Sequence, residues 1–316
     1  MKEHMGRTPG TRGHPHPQDP EEPAASTAAG PQTADRPGET GVAYYVYAVA
    51  QARNSEGYEA ASLIDGGRSR VYGLRYRDVV AIVSPVPLAE FGPGVLEANL
   101  RDAAWARVRV LAHQEVLAGL LSRYTLVPFK FCTLYRSEDS VLEMLDRHYQ
   151  GFAENLARLE GATELGVKVY CDRRALAERV RETSKALKPL REGISRMSEG
   201  AAYFLKKKLE QAAEQEAEQV MDACTRESHE RLAGRAREAV ANPIQPPEVH
   251  GRGVEMMLNG AYLVDDDGLE DFRVALASLD ETYAPLGFSY ELTGPWPPYN
   301  FAAVVFEEPS GDRAGT

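Results

Sequence analysis

A chain of 316 residues with a formal charge of −11 and a pI of about 5.3 is long enough for two domains and carries no basic footprint for a nucleic-acid backbone. No apolar run approaches the roughly 20 residues of a membrane span, and the N-terminus lacks the charged-then-apolar pattern of a signal peptide, so a cytoplasmic location is expected. Cys132, Cys171 and Cys224 match neither a CxxC motif nor a metal-ligand spacing, so reduced thiols, and neither metal nor cofactor, are expected.

Residues 1–41 are rich in Pro, Gly, Thr and Ala. Such a stretch buries too little apolar surface to offset its chain entropy, and a disordered tail is expected. His4, His14 and His16 fall in it, where nothing fixes a ligand geometry. Tyr44 to Val49 (YYVYAV) reads as a strand from its β-branched and aromatic content. Val71 to Tyr76 and Val79 to Ser84 read as two more, joined by a tight turn at Arg77-Asp78. The stripe Ala106, Val110, His113, Leu117, Leu120, Tyr124 predicts a helix over 95–123. His113 lies within that stripe and reads as a core or interface histidine bonded to a neighbouring carbonyl. A catalytic role would need a nucleophile partner that the sequence does not offer.

Val127, Phe129 and Phe131 alternate with Lys130 and Cys132, the pattern of a strand. Ser137 can cap a helix with Glu138 and Asp139 in its first turn. Leu142, Leu145, Tyr149, Phe152, Leu156 and Leu159 extend that helix to 159. Val167 to Cys171 is a further strand. A helical stretch follows over about 173–241, its second part (195–240) reaching about 70 Å if unbroken. Its stripe Ala201, Leu205, Leu209, Ala213, Ala217, Val220 is only weakly apolar, so it should be mostly exposed. Lys206-Lys207-Lys208 reads as a solvated face. Val254 to Val264 is a strand. Asp267 should cap the next helix, with Glu270 completing a capping box; the loop lacks the alternating ligands of an EF-hand. Leu269, Phe272, Leu276, Leu279 and Tyr283 mark that helix. Phe288, Tyr290 and Leu292 alternate as a last strand, which Gly294-Pro295-Trp296-Pro297-Pro298 should end, since proline donates nothing to a ladder.

The expected class is α+β with two domains: a small N-terminal α+β domain over 42–125 and a second over 126–308. The second reads strand, helix, strand, strand, helix, strand, the ferredoxin-like βαββαβ order, with a helical insertion at about 173–247 and a tail at 309–316. Phe129, Phe131, Val167, Val169, Phe288, Tyr290 and Leu292 should fill its core, and Lys130, Cys132, Lys168, Tyr170, Glu291 and Thr293 should line the opposite, mixed face. In that order Cys132 and Cys171 would stand about 9.6 Å apart on opposite faces, too awkwardly placed for a disulfide.

Five segments together resemble the gas vesicle protein GvpL/GvpF family: YYVYAV at 44–49, HQEVL at 113–117, VPFKFCTLYRSE at 127–138, LNGAYLVD at 258–265 and YELTGPWPPYNF at 290–301. Cys132 stands where the family pattern looks like glycine and Lys130 where it looks like arginine. The resemblance implies a cytoplasmic accessory or minor structural protein needed to build gas vesicles. It implies contact with the small hydrophobic shell subunit and other accessory proteins, and no enzymatic activity. Such a partner needs a receptive surface, for which the candidates are Lys130, Lys168, Tyr170 and Glu291 on the mixed face and Trp296, Tyr299 and Phe301 in the exit segment. The alternative is a ligand sensor or enzyme on the same scaffold, which would need a pocket joining groups such as His113, Lys130 and Glu291.

Overall fold

The computed structural model describes residues 41–52 and 60–302. The tails expected over 1–41 and 309–316, Gly41 excepted, lie outside these residues, as do His4, His14 and His16. Two antiparallel sheets carry the fold. The first runs β2 (Ala60–Ala61), β3 (Arg70–Tyr76), β4 (Val79–Pro87), β1 (Val42–Gln51), β5 (Leu126–Pro128), with β6 (Leu134–Tyr135) also pairing β1. The second runs β10 (Phe288–Trp296), β7 (Ala162–Cys171), β9 (Glu255–Asp265), β8 (Glu238–Ala241).

β1 is paired on both edges and packed on both faces, so Tyr45 to Ala50 are buried without a break. A register shift between Val46 and Ala48 re-aims the strand. Tyr45, Tyr47, Ala48 and Ala50 therefore share one face, against Val116, Leu117 and Leu120. Val46 and Val49 meet the other core. The β3–β4 hairpin turns at Arg77-Asp78 as its sequence predicts, with Tyr76 opposite Val79 and Arg77 at φ 55.

Several expectations change. The helix expected over 95–123 is two helices, Val95–Leu100 and Ala103–Leu121. Asp102 interrupts it, because its carboxylate accepts from the N–H groups of Ala104 and Trp105 at 2.9 and 3.4 Å and so starts a new helix. The strand expected over 127–132 stops at Pro128. Lys130 to Thr133 then turn, with Thr133 N–H donating to the Lys130 carbonyl and Cys132 at φ 62. More consequentially, Leu126–Pro128 pairs with Ala48–Ala50 of β1, in the first sheet. It does not open the second domain as expected. The 9.6 Å argument for Cys132 and Cys171 therefore does not apply; Cys132 lies in a turn beside the first sheet and Cys171 in the second sheet, and all three thiols are free.

Ser137 caps Glu138–Arg147 as expected, accepting from Ser140 N–H at 3.1 Å while Ser140 Oγ accepts from Ser137 N–H at 3.0 Å. A second helix, Tyr149–Leu159, follows after a break at His148. Together they form a layer between the sheets. Val141, Leu145, Phe152, Leu156 and Leu159 meet Val46, Val49, Ala81 and Val83 of the first sheet and Ala261 and Leu263 of the second.

The segment read as mostly exposed does expose many positions but lays one stripe into the core. It contains Arg173–Thr183, Lys188–Ser195 and a 35-residue helix, Glu199–Ala233, about 52 Å long. Leu209, Ala213, Ala217, Met221, Cys224 and Leu232 are buried against Val167, Val169, Tyr262 and the Leu269–Tyr283 helix. Alanine makes this stripe weakly apolar on a hydropathy scale, yet its small size lets the helix approach the sheet closely. Gly234 ends the helix, and Glu238–Ala241, expected to be helical, is instead the edge strand β8. The Leu269–Tyr283 helix starts from Gly268 after a 3-10 turn at Asp266–Gly268, with no side-chain cap from Asp267. Leu292, expected in the core, is exposed.

Candidate functional site

One face of the second sheet is buried by helices. The other is covered at one end, where Ala261 and Leu263 meet the inter-sheet layer, and at the far end over Tyr170, which is buried. That face carries most of the candidate residues. Lys168 and Glu291 are direct cross-strand partners. Glu291 accepts from Arg252 at 2.5 Å, and the Arg252 guanidinium lies 4.2 Å from the centroid of the Tyr170 ring. Tyr170 is thus on the expected face but buried beneath a cation that the sequence reading missed. His250 packs edge-on to the same ring at 5.3 Å.

Trp296 extends this surface. The last strand continues through it: β10 bulges between Thr293 and Trp296, and Trp296 rejoins β7 opposite Glu164. Gly294, at φ 107, and Pro295 occupy the bulge, where the missing proline N–H breaks no ladder bond. The expected end of the strand at Gly294 is corrected accordingly. Trp296 Nε1–H donates to Thr293 Oγ1 at 3.0 Å. Beneath them is Gly166, where an added Cβ would stand 2.4 Å from Thr293 Oγ1 and 3.5 Å from Trp296 Nε1. A glycine in the middle of a strand lets an aromatic lie flat against the sheet. The indole is fixed there while still 39% exposed.

Past Trp296 the exit segment turns inward. Pro297 and Pro298 are buried, and Phe301 N–H and Ala302 N–H both donate to the Pro298 carbonyl. Phe301, expected at a partner surface, is 3% exposed in the inter-sheet core, a burial that contributes about 1.5–3 kcal/mol. Its carbonyl accepts from Arg158, which also pairs with Glu238. Tyr299 reaches the first core, where its hydroxyl contacts His113 Nε2 at 2.9 Å and donates to the Phe129 carbonyl at 3.3 Å. Lys130, next to Phe129, is exposed on the first-sheet turn. The seven candidates therefore divide. Lys168, Tyr170, Glu291 and Trp296 share one face, Lys130 stands on the other sheet, and Tyr299 and Phe301 face inward.

Two buried titratable groups hold the exit segment. Asn300 donates to both oxygens of the buried Glu164 carboxyl. Burial pushes that carboxyl up to about 7, although the Asn300 donors favour the charged form. His113 is fully enclosed, with Nδ1 2.9 Å from Tyr45 Oη. Tyr45 Oη accepts from Cys132 N–H at 3.0 Å and, with the ring proton on Nε2, donates to Nδ1. Tyr299 Oη, which donates to Phe129, accepts from Nε2–H. Burial holds the imidazole down at about 4, with the Phe129 carbonyl pulling the other way. The expected carbonyl partner is thus joined by two tyrosines.

His113, Lys130 and Glu291 lie on three different parts of the molecule and converge on no common pocket. Among the described residues, no group of three or more His, Cys, Asp or Glu side chains could hold a metal ion, and no helix is long and apolar enough to cross a membrane.

The chain is similar to gas vesicle protein L of a Streptomyces species, at 31% identity over 265 residues covering 84% of this chain and 94% of the relative. Gas vesicle protein F of the same organism is 28% identical over 69% of this chain and 88% of its own length. Among solved structures, the gas vesicle protein GvpF from Anabaena sp. PCC7120 superposes with a TM-score of 0.63 at 17% identity, over 84% of this chain and all of that one. GvpF from Microcystis aeruginosa gives 0.57 at 16% identity, over 83% of this chain and 99% of that one. These two show a shared mixed α and β fold. The sequence profile described as gas vesicle synthesis protein GvpL/GvpF matches residues 43–303, and the chain belongs to that family.

Proposed function

We propose that this protein is a non-enzymatic accessory or minor structural component of gas vesicle assembly, acting in the cytoplasm and on the gas vesicle. The open face of its second sheet receives the small hydrophobic shell subunit, and other accessory proteins are its further partners. The observation that carries this reading is Trp296, an indole held in one orientation by Thr293 and Gly166 yet 39% exposed. Beside it lie Lys168 and the Arg252–Glu291 pair. A fixed aromatic bordered by charge suits an interface whose centre is apolar and whose rim is polar.

The architecture we propose for this function is two ferredoxin-like halves. The second opens at β7 rather than at 127, and the helices of 173–233 serve as its first crossover. The boundary between the halves then falls near residue 160 instead of 125/126.

Deleting the gene and following flotation and electron microscopy of the cells tests the role; normal vesicles without a redundant paralogue overturn it. Co-expression with the shell subunit tests the surface. Capture should weaken in Trp296→Ala and in Lys168→Glu while both variants keep the wild-type melting profile. Unchanged capture in both would remove this face from the binding site.

A further inference from the structure

The turn between the helices Lys188–Ser195 and Glu199–Ala233 has a character unlike the rest of the molecule. Tyr203 and Phe204 are 64% and 76% exposed, edge to face at 5.7 Å, and Met197 is 49% exposed. Adjacent aromatics this open pack little against the other described residues. Residues 179–208 hold nine Lys or Arg against three Glu, although the whole chain carries −11. The local field is therefore positive on an acidic protein.

Next to the aromatic pair is a concavity of about 320 Å³ lined by Arg181, Arg191, Ile194, Lys206, Leu209 and Glu210. Ile194 and Leu209 give it an apolar floor, and Arg191, Lys206 and Arg181 stand on its rim, Arg181 also pairing with Glu178 at 3.0 Å and Glu210 adding one carboxylate. Arg191 is fixed there by donating to the carbonyls of Arg181 and Ser184, each at 2.8 Å. Tyr203 and Lys206 are three residues apart on one helix, as are Lys206 and Leu209, so the aromatic surface and the recess are neighbours on adjacent turns.

We propose that this end of the helical arm is a second docking surface, which takes an acidic amphipathic helix of a partner protein. Apolar residues of that helix would fill the recess and stack on Tyr203 and Phe204. Its carboxylates would meet Arg181, Arg191 and Lys206. A recessed floor behind charged rims fits a protruding side chain better than a flat bilayer. The site is separate from Trp296, so it stands or falls independently of the shell-subunit surface.

The test uses the full chain and a fluorescein-labelled peptide of about 18 residues, long enough to hold a helix, with Leu at i, i+3, i+4 and i+7 and Glu elsewhere. A matched peptide replaces every Glu by Lys. Anisotropy titrations should show the acidic peptide binding at least about tenfold more tightly than the basic one. Phe204→Ser, Tyr203→Ser and the triple change Lys206→Glu, Lys207→Glu, Lys208→Glu should each weaken it by about tenfold or more. Trp296→Ala should leave it unchanged. These side chains are exposed, so thermal melts should match wild type. Equal binding of the two peptides, or binding insensitive to all three variants, overturns the proposal. So does binding to phosphatidylserine vesicles without peptide binding, which assigns the tip to a lipid surface. Phe204-dependent self-association without peptide binding likewise overturns it in favour of a second copy of the chain.

Discussion

Asn300 closes on Glu164 with two hydrogen bonds, Nδ2–H to Oε1 at 2.7 Å and backbone N–H to Oε2 at 3.2 Å, and so fastens the exit segment to the strand that Trp296 rejoins. The carboxyl ends of this latch are buried, and burial raises the group from 4.5 to about 7. In the folded chain Glu164 therefore keeps its proton over a range where the unfolded chain has lost it. That stabilisation is fully present below pH 4.5 and is lost as pH rises to and through 7. The span corresponds to about 3 kcal/mol at one pKa unit per 1.4 kcal/mol. Glu164→Gln loses one hydrogen bond at every pH, because its amide NH₂ faces an Asn300 donor, but it does not titrate. Denaturant melts from pH 4.5 to 8 should show wild type losing stability relative to Glu164→Gln as pH rises; parallel curves would exclude the latch as a titrating element.

His113 acts with the opposite sign. Its folded value, about 4, lies below the ordinary 6.5. Its contribution is therefore present above pH 6.5 and is lost as pH falls through 4. His113→Gln should be destabilised at neutral pH and should flatten the acid limb of the stability curve between pH 6.5 and 4. Tyr299→Phe removes one acceptor of Nε2–H and leaves the Phe129 carbonyl, so it should cost about 0.5–1.5 kcal/mol, the usual net worth of one hydrogen bond. Denaturation midpoints for the two variants across that range separate the effects.

Gly166 gives the most local test of the Trp296 platform. A methyl group there would stand 2.4 Å from Thr293 Oγ1, so Gly166→Ala must displace Thr293, and with it the partner of the indole N–H. In a Trp105→Phe background Trp296 is the sole tryptophan. Its emission should shift to longer wavelength in Gly166→Ala, with about 1–3 kcal/mol of destabilisation from overpacking. An unshifted spectrum would mean that the indole does not depend on Gly166.

The burial of the long helix predicts an asymmetry between neighbouring positions. Ala217 is enclosed against the second sheet, whereas Glu214 faces solvent. Ala217→Glu would bury a carboxylate without a partner and should cost several kcal/mol. Glu214→Ala should stay within about 0.5 kcal/mol. Thermal melts of both variants check the pair, and equal tolerance would return this helix to the surface.

Local chemistry made some of the fold legible. Tyr44 to Val49 read as a strand because β-branched and aromatic residues fill it, and Ser137 read as a cap because a hydroxyl before an acidic first turn satisfies orphan N–H groups. The Arg77-Asp78 turn followed from two residues separating two apolar runs. Asp102, by the same capping logic, could have revealed the break at 101–102 inside an otherwise continuous stripe. Gly166 could have signalled an aromatic lying on the sheet only with the strand extended back to Ala162, whereas its sequence pattern starts at Val167. Arg252, Asn300 and Glu164 left no such signal, since their partners are 39, 136 and 136 residues away.

By itself the sequence determined the strands and helices with strong periodicity, the membership in the GvpL/GvpF family and the unusual Gly-Pro-Trp-Pro-Pro-Tyr segment. Periodicity and turn residues act over a few neighbours, and such information survives in a linear chain. Tertiary structure alone decided that Leu126–Pro128 pairs with β1, that the alanine stripe of 199–233 is core, and that Tyr299 and Phe301 point inward while Trp296 stays out. Backbone pairing is nearly blind to side-chain identity, and an alanine stripe gains its contacts only when a sheet comes close enough to meet it. Those outcomes depend on which distant surface is nearest, which local pattern does not encode.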